Sequence, residues 1–213
     1  DASPDDGAAA LAAAADAQPD WAARPPRERG EILRRAFHAL LDQQDDLALL
    51  MTLEMGKPVA ESRTEVAYAA EFFRWFSEEA VRFEGSYRVA PGGGSRVLTM
   101  RQPVGPCLLI TPWNFPMAMG TRKIGPAIAA GCTMVIKPAA ETPLSMLALA
   151  RVLEETGLPP GVLNVITTSR SGTGTEPLIR DSRARKLSFA GSPAVVRRLV
   201  EQSAEQLLRV SME

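Results

Sequence analysis

The sequence predicts an α/β protein: a Rossmann-like parallel sheet preceded by a helical segment and a β-hairpin. Three observations lead there. In the second half of the chain, short and wholly apolar runs alternate with helix-period segments, as expected of strands buried on both faces between covering helices. Residues 1–84 carry apolar side chains at helical spacing instead. Between the two, Pro91-Gly92-Gly93-Gly94 reads as a turn joining two short strands.

Taken in order, residues 1–84 form the helical segment. An Ala-rich stretch at 8–16 leads to Trp21, and Pro25-Pro26 punctuates before a helix over 27–43, striped by Ile32, Phe37, Leu40 and Leu41. A helix over 45–55 stops at Gly56 and Pro58. A long amphipathic helix over 59–84 sets Val66, Ala69, Ala70, Phe73, Phe76 and Ala80 at helical spacing. Residues 85–102 give the hairpin, with strands at 87–90 and 97–100. Residues 103–213 form the parallel-sheet domain, which is expected to be incomplete. Its strands are predicted at 107–111, 133–137, 162–166, 186–189 and 207–212, and its helices at 124–130, 144–156 and 195–204. Gly172-Thr-Gly-Thr follows the third strand rather than the first, so it is not a dinucleotide fingerprint and reads as a loop.

Composition excludes several classes of partner. Lys+Arg 24 against Asp+Glu 25 leaves a formal charge of -1 with no massed basic run, so neither nucleic acid nor an anionic membrane is expected to bind. The 2 cysteines, Cys107 and Cys132, lie in apolar stretches without a Cys-x-x-Cys partner. A disulfide framework and a metal site are therefore not expected, and a reducing cytoplasm is. Neither a membrane span nor a signal or transit peptide is legible, and the chain opens on Asp1 rather than Met, as if its start were trimmed.

Parallel sheets bind ligands at the carboxyl ends of their strands. Here those ends read Thr111-Pro-Trp-Asn, Lys137-Pro, Ala190-Gly-Ser and Glu213. Two prolines and a Trp around Asn114 make a rigid loop, from which an amide NH2 can meet a developing oxyanion. Each residue also has a plainer alternative: a turn Asn, a solvated strand-end Lys137, an ordinary turn Gly191.

Four segments in this order, Ile110-Thr-Pro-Trp-Asn-Phe-Pro, Ala129-Ala-Gly-Cys-Thr-Met-Val-Ile-Lys-Pro-Ala, Ser188-Phe-Ala-Gly-Ser and Ser211-Met-Glu, resemble the aldehyde dehydrogenase superfamily over residues 21–213. That resemblance implies NAD or NADP as cofactor, a small-molecule aldehyde substrate and a homo-oligomer assembled partly through the hairpin. It implies that Asn114 is the oxyanion-hole amide and Glu213 the general base. Lys137 corresponds to the lysine that bonds the adenosine ribose, while Thr111, Pro112 and Trp113 line the cofactor cleft. Gly191 and Ser192 match the helix N-terminus that receives the pyrophosphate.

Within the superfamily, Thr52-Leu-Glu-Met-Gly-Lys-Pro, Glu71-Phe-Phe-Arg-Trp-Phe-Ser-Glu-Glu-Ala and Thr121-Arg-Lys-Ile-Gly-Pro-Ala are similar to succinate-semialdehyde dehydrogenases. This implies that Arg122 grips the distal carboxylate of the substrate, a bidentate contact suited to a guanidinium. The plainer alternative for Arg122 is a surface ion pair. Two rival functions remain: another semialdehyde such as glutarate semialdehyde, or a non-catalytic nucleotide-binding fragment.

Three departures from the family pattern matter. The family's nucleophile is a cysteine some tens of residues beyond the position of Glu213, so this chain by itself is expected to be inactive. Pro193-Ala-Val-Val replaces the usual Thr, acid, Val-Gly run after the phosphate glycine. Ala140 stands where NAD-selective members often carry a Glu for the ribose 2′-hydroxyl, which leans the expectation towards NADP or dual use, although Glu141 follows directly.

Overall fold

The computed structural model describes the backbone of residues 1–213 and all their side chains except those of Ser171 and Thr173. Helix α1 (Pro4–Ala23) starts at a capping box in which Ser3 and Asp6 satisfy each other's backbone N–H groups. Helix α2 (Pro26–Asp42) opens with a proline in its first turn, and α3 (Gln44–Met55) ends on Gly56 at φ 80, the left-handed stop that glycine supplies. Helix α4 (Val59–Glu79) ends before the predicted 84. The chain has to turn at Gly85, where a Cβ would lie 2.0 Å from the Thr99 carbonyl oxygen.

The hairpin pairs β1 (Ser86–Val89) with β2 (Arg96–Thr99) in antiparallel register, Ser86 opposite Thr99. Then come β3 (Cys107–Ile110), α5 (Ala118–Ala130), β4 (Met134–Lys137), α6 (Pro143–Glu155), β5 (Leu163–Val165), α7 (Ser171–Arg180), β6 (Lys186–Phe189), α8 (Pro193–Ala204) and β7 (Arg209–Met212). The sheet order is β5-β4-β3-β6-β7, all parallel.

One expectation is corrected. The Gly172-Thr-Gly-Thr stretch, read as a loop, lies in the first turns of α7. Gly and Thr are weak helix formers, but Leu178 and Ile179 further along are buried with Leu11 and Ala14 of α1. Packing from a segment more than a hundred residues away decides the local conformation.

Side chains alternate across the sheet with period two. Cys107, Leu109, Met134 and Ile136 join the core formed with α2 to α6, around the fully buried Phe73. Leu108, Val135, Leu187 and Phe189 join the core under α1, α7 and α8. The helical segment is thus continuous with the sheet through one apolar core. Among the described residues, no helix is long and apolar enough to cross a membrane.

Candidate active site at the switch point

The chain runs from β3 outward to β4 and β5, then returns to the far side of β3 as β6 and β7. Between β3 and β6 the connections diverge to opposite faces of the sheet, which opens a crevice at their carboxyl ends. Register brings the expected residues into one row along that edge. Ile110 is opposite both Lys137 and Phe189, and the Thr111 N–H donates to the Lys137 carbonyl at 3.2 Å. Ala190 N–H donates to Ile110 O at 3.3 Å, and Gly191 N–H to Glu213 O at 3.1 Å.

The side chains along this row differ in exposure. Thr111 is buried, and its hydroxyl has no partner among the described residues. Lys137 is buried too, and the loss of hydration pulls its ammonium below the ordinary lysine range while the Glu141 carboxylate pulls the other way. Pro112 is half-buried; Trp113, Asn114, Ala140, Gly191 and Ser192 are exposed. Gly191 has no room for a side chain, since a Cβ would sit 2.4 Å from the Phe189 ring. Ser192 caps α8 with its backbone, and Pro193 removes one of the N–H groups that a helix N-terminus would otherwise present. The Gly191 N–H is likewise engaged, by the Glu213 carbonyl, which leaves fewer free N–H groups at this helix start.

Arg122 projects from α5 and pairs with Glu213, Nη2 to Oε1 at 3.1 Å, both side chains nearly half exposed. The surface ion pair considered as the plainer alternative for Arg122 is therefore present, and its partner is the expected general base.

Three residues around the site were not singled out by the sequence. Glu65 of α4 is buried and its Oε1 accepts from the N–H groups of Met117 and Ala118, at 3.0 and 3.2 Å. It caps α5 from another helix, since Met117 at the cap position has no side-chain acceptor to offer. Lys57 pairs with Glu65, donates to the Asn114 carbonyl at 2.9 Å and lies 4.2 Å from the Phe115 ring centroid. These contacts fix the loop that carries Asn114. Lys123, next to Arg122, is buried and donates to Ser188 Oγ at 2.8 Å. Burial disfavours its charge, and the Glu213 carboxylate partly offsets that. The only advance signal was position: Lys57 and Lys123 sit inside the segments that carried the resemblance. Nothing local marks Glu65.

Fold and site together define the class: a parallel α/β protein whose switch-point edge presents a rigid amide-bearing loop, a buried lysine and a glycine-lined helix start. The sequence pattern of the aldehyde dehydrogenase family matches residues 1–213, and the chain belongs to that family. It is 57% identical over 212 residues to a succinate-semialdehyde dehydrogenase of Paenarthrobacter nicotinovorans, covering 100% of this chain and 47% of that enzyme. It is 50% identical over 204 residues to a glutarate-semialdehyde dehydrogenase of Pseudomonas putida, covering 96% of this chain and 42% of that one. A crystal structure of an Escherichia coli NADP-dependent enzyme superposes with a TM-score of 0.96 at 48% identity, covering 99% of this chain and 44% of the other. The chain thus spans somewhat less than half the length of these relatives.

Proposed function

We propose that this chain supplies the cofactor-binding half of an NAD(P)-dependent aldehyde dehydrogenase that oxidises succinate semialdehyde to succinate. The observation that carries the reading is the row of strand ends, where Thr111, Lys137, Gly191 and Glu213 are linked by backbone hydrogen bonds and register beside the Asn114 loop. The unpartnered Thr111 hydroxyl, the buried Lys137 and the glycine at 191 fit a dinucleotide along this edge. When bound, that cofactor would accept the hydride of the aldehyde.

The chain's own residues divide the remaining work. Asn114 presents its amide from a loop held by Lys57 and steadies the developing oxyanion. Glu213 deprotonates the water that releases the acid product. Arg122 binds the distal carboxylate of the substrate. Because Arg122 already holds Glu213, a substrate carboxylate would compete for the guanidinium and release Glu213 towards its catalytic task. Ala140 leaves room for a 2′-phosphate, and the charge of Glu141 on Lys137 opposes it; dual use of NAD and NADP with a lean to NADP follows. A large kcat/KM preference for NAD would overturn that part.

The test is Arg122→Leu in the full-length enzyme, assayed with succinate semialdehyde and with a neutral aldehyde of similar length. The expected result is a kcat/KM loss of about 10- to 100-fold for the charged substrate only, the size of a lost charge-assisted hydrogen bond. An equal loss for both substrates would support a second reading that the ion pair itself favours: Arg122 positions Glu213 and does not select the substrate.

A further inference from the structure

Below the site, at the opposite end of β3, the chain's 2 cysteines meet. Cys107 opens β3, and Cys132 follows the left-handed Gly131 that ends α5. Cys107 N–H donates at 2.9 Å to the carbonyl of Thr133, the residue after Cys132, and both cysteines are buried in the same core; the Cys107 thiol also lies 3.4 Å from the Gly105 carbonyl. Gly105 has φ 110, a conformation open to glycine, just before the chain enters β3. The buried Arg29 guanidinium, fixed by the carbonyls of Ala129 and Arg24, adds positive charge nearby. The neighbouring Cys107 thiol foremost, and the Gly105 and Val104 backbone and the Arg29 charge after it, pull the Cys132 thiol down against its burial, while Cys132 and burial push the Cys107 thiol up.

Both cysteines line a cavity of about 400 Å³ that also meets Lys123, Lys186 and Ser188. The cavity has room for a small polar molecule beside both residues, which are otherwise buried. Two neighbouring thiols bordering one cavity, with a buried guanidinium beside the loop that carries Cys132, form the arrangement of an attacking and a resolving cysteine.

We propose that Cys132 and Cys107 form a redox modification site for small hydroperoxides, with Cys132 attacking and Cys107 resolving. In the first step the Cys132 sulfur attacks the peroxide O–O bond. An S–O bond forms, the O–O bond breaks, and the leaving alkoxide or hydroxide takes a proton from solvent to depart as alcohol or water. In the second, Cys107 loses its proton and attacks the Cys132 sulfenic acid; the S–S bond forms and water leaves. Two thiols are oxidised by two electrons and one peroxide is reduced. The bridge would tie together the two ends of the β3–α5 unit, which carries Asn114 and Arg122. The proposal does not depend on the substrate assigned above.

The experiment exposes the reduced chain to hydrogen peroxide and follows denatured mass and peptide maps. The expected product loses two hydrogens and both alkylatable thiols together, with Cys107 and Cys132 in one cross-linked peptide. Cys107→Ser should stop at a sulfenic acid on Cys132, trapped by a cyclic 1,3-diketone, and Cys132→Ser should slow oxidation at least about tenfold. Oxidation of Cys132→Ser at the wild-type rate would overturn the proposal, as would sulfonic acids without a cross-link. The unsubstituted chain gives an independent check if a serine loosens the core: brief peroxide treatment with the trap present should label Cys132, and label on Cys107 would overturn the assignment.

Discussion

The hairpin β1–β2 and the five-stranded sheet are built from similar strands of three or four residues, yet water treats them in opposite ways. In the hairpin, Tyr87 is 68% and Leu98 63% exposed, on strands that no other element covers among the described residues. In the sheet, every side chain of β4 is buried, because α5 and α6 cover one face and α1 and α7 the other. An apolar residue stabilises a fold only when something removes it from water, so equal strand propensity has unequal worth in the two places. The hairpin also keeps both edges unpaired, an arrangement that favours pairing with another chain or with further segments of the same one.

Substitutions should separate the two regions by size of effect. Phe73→Ala empties the fully buried centre of the core shared by α4 and α5; a loss of about 4 kcal/mol is expected, read from urea unfolding. Glu65→Gln removes a buried charge that Lys57 pairs with and that caps α5, and a loss of about 3 kcal/mol should accompany it. A Glu65→Gln protein as stable as the wild type would mean that the cap is decorative and packing alone sets α5. A smaller effect concerns pH. Burial makes the Lys123 ammonium easier to lose in the folded chain than in the unfolded one, so the unfolded chain binds more protons just below the ordinary lysine value of 10.5. This group's contribution to stability therefore rises with pH through that window, and Lys123→Met should flatten the rise in a stability–pH series. The smallest effect belongs to the hairpin: Leu98→Thr should change unfolding free energy by no more than about 0.5 kcal/mol. It should nevertheless reduce self-association in sedimentation experiments, and a large destabilisation would show that the hairpin is not the loosely held region described.

Much of the fold was legible because apolar periodicity tracks burial. The strands at 107–110, 134–137 and 186–189 and the helices α6 and α8 appear within a few residues of their expected places, while α5 starts at Ala118, before the expected 124. Helix α7 was missed because its early residues carry weak local signals and its packing partners sit on α1. The strand-end residues were legible as a group, since a parallel sheet has only one edge at which to bind. Their electrostatics were not: that Arg122 meets Glu213, that the Gly191 N–H is already engaged, and that Cys107 meets Cys132 all depend on which strands become neighbours.

By itself, then, the sequence determined the alternation of strand and helix, the stop at Gly56, and the residues gathered at the carboxyl edge. These follow from local stereochemistry and from period. The tertiary structure alone decided how the two halves hold each other. Glu54 of α3 accepts from the start of α6 through Ser145 N–H at 3.1 Å, just as Glu65 of α4 caps α5. A helix N-terminus needs an acceptor, but no rule of sequence spacing says that the acceptor must come from its own helix. Here the chain meets that need across dozens of residues, which only folding can arrange.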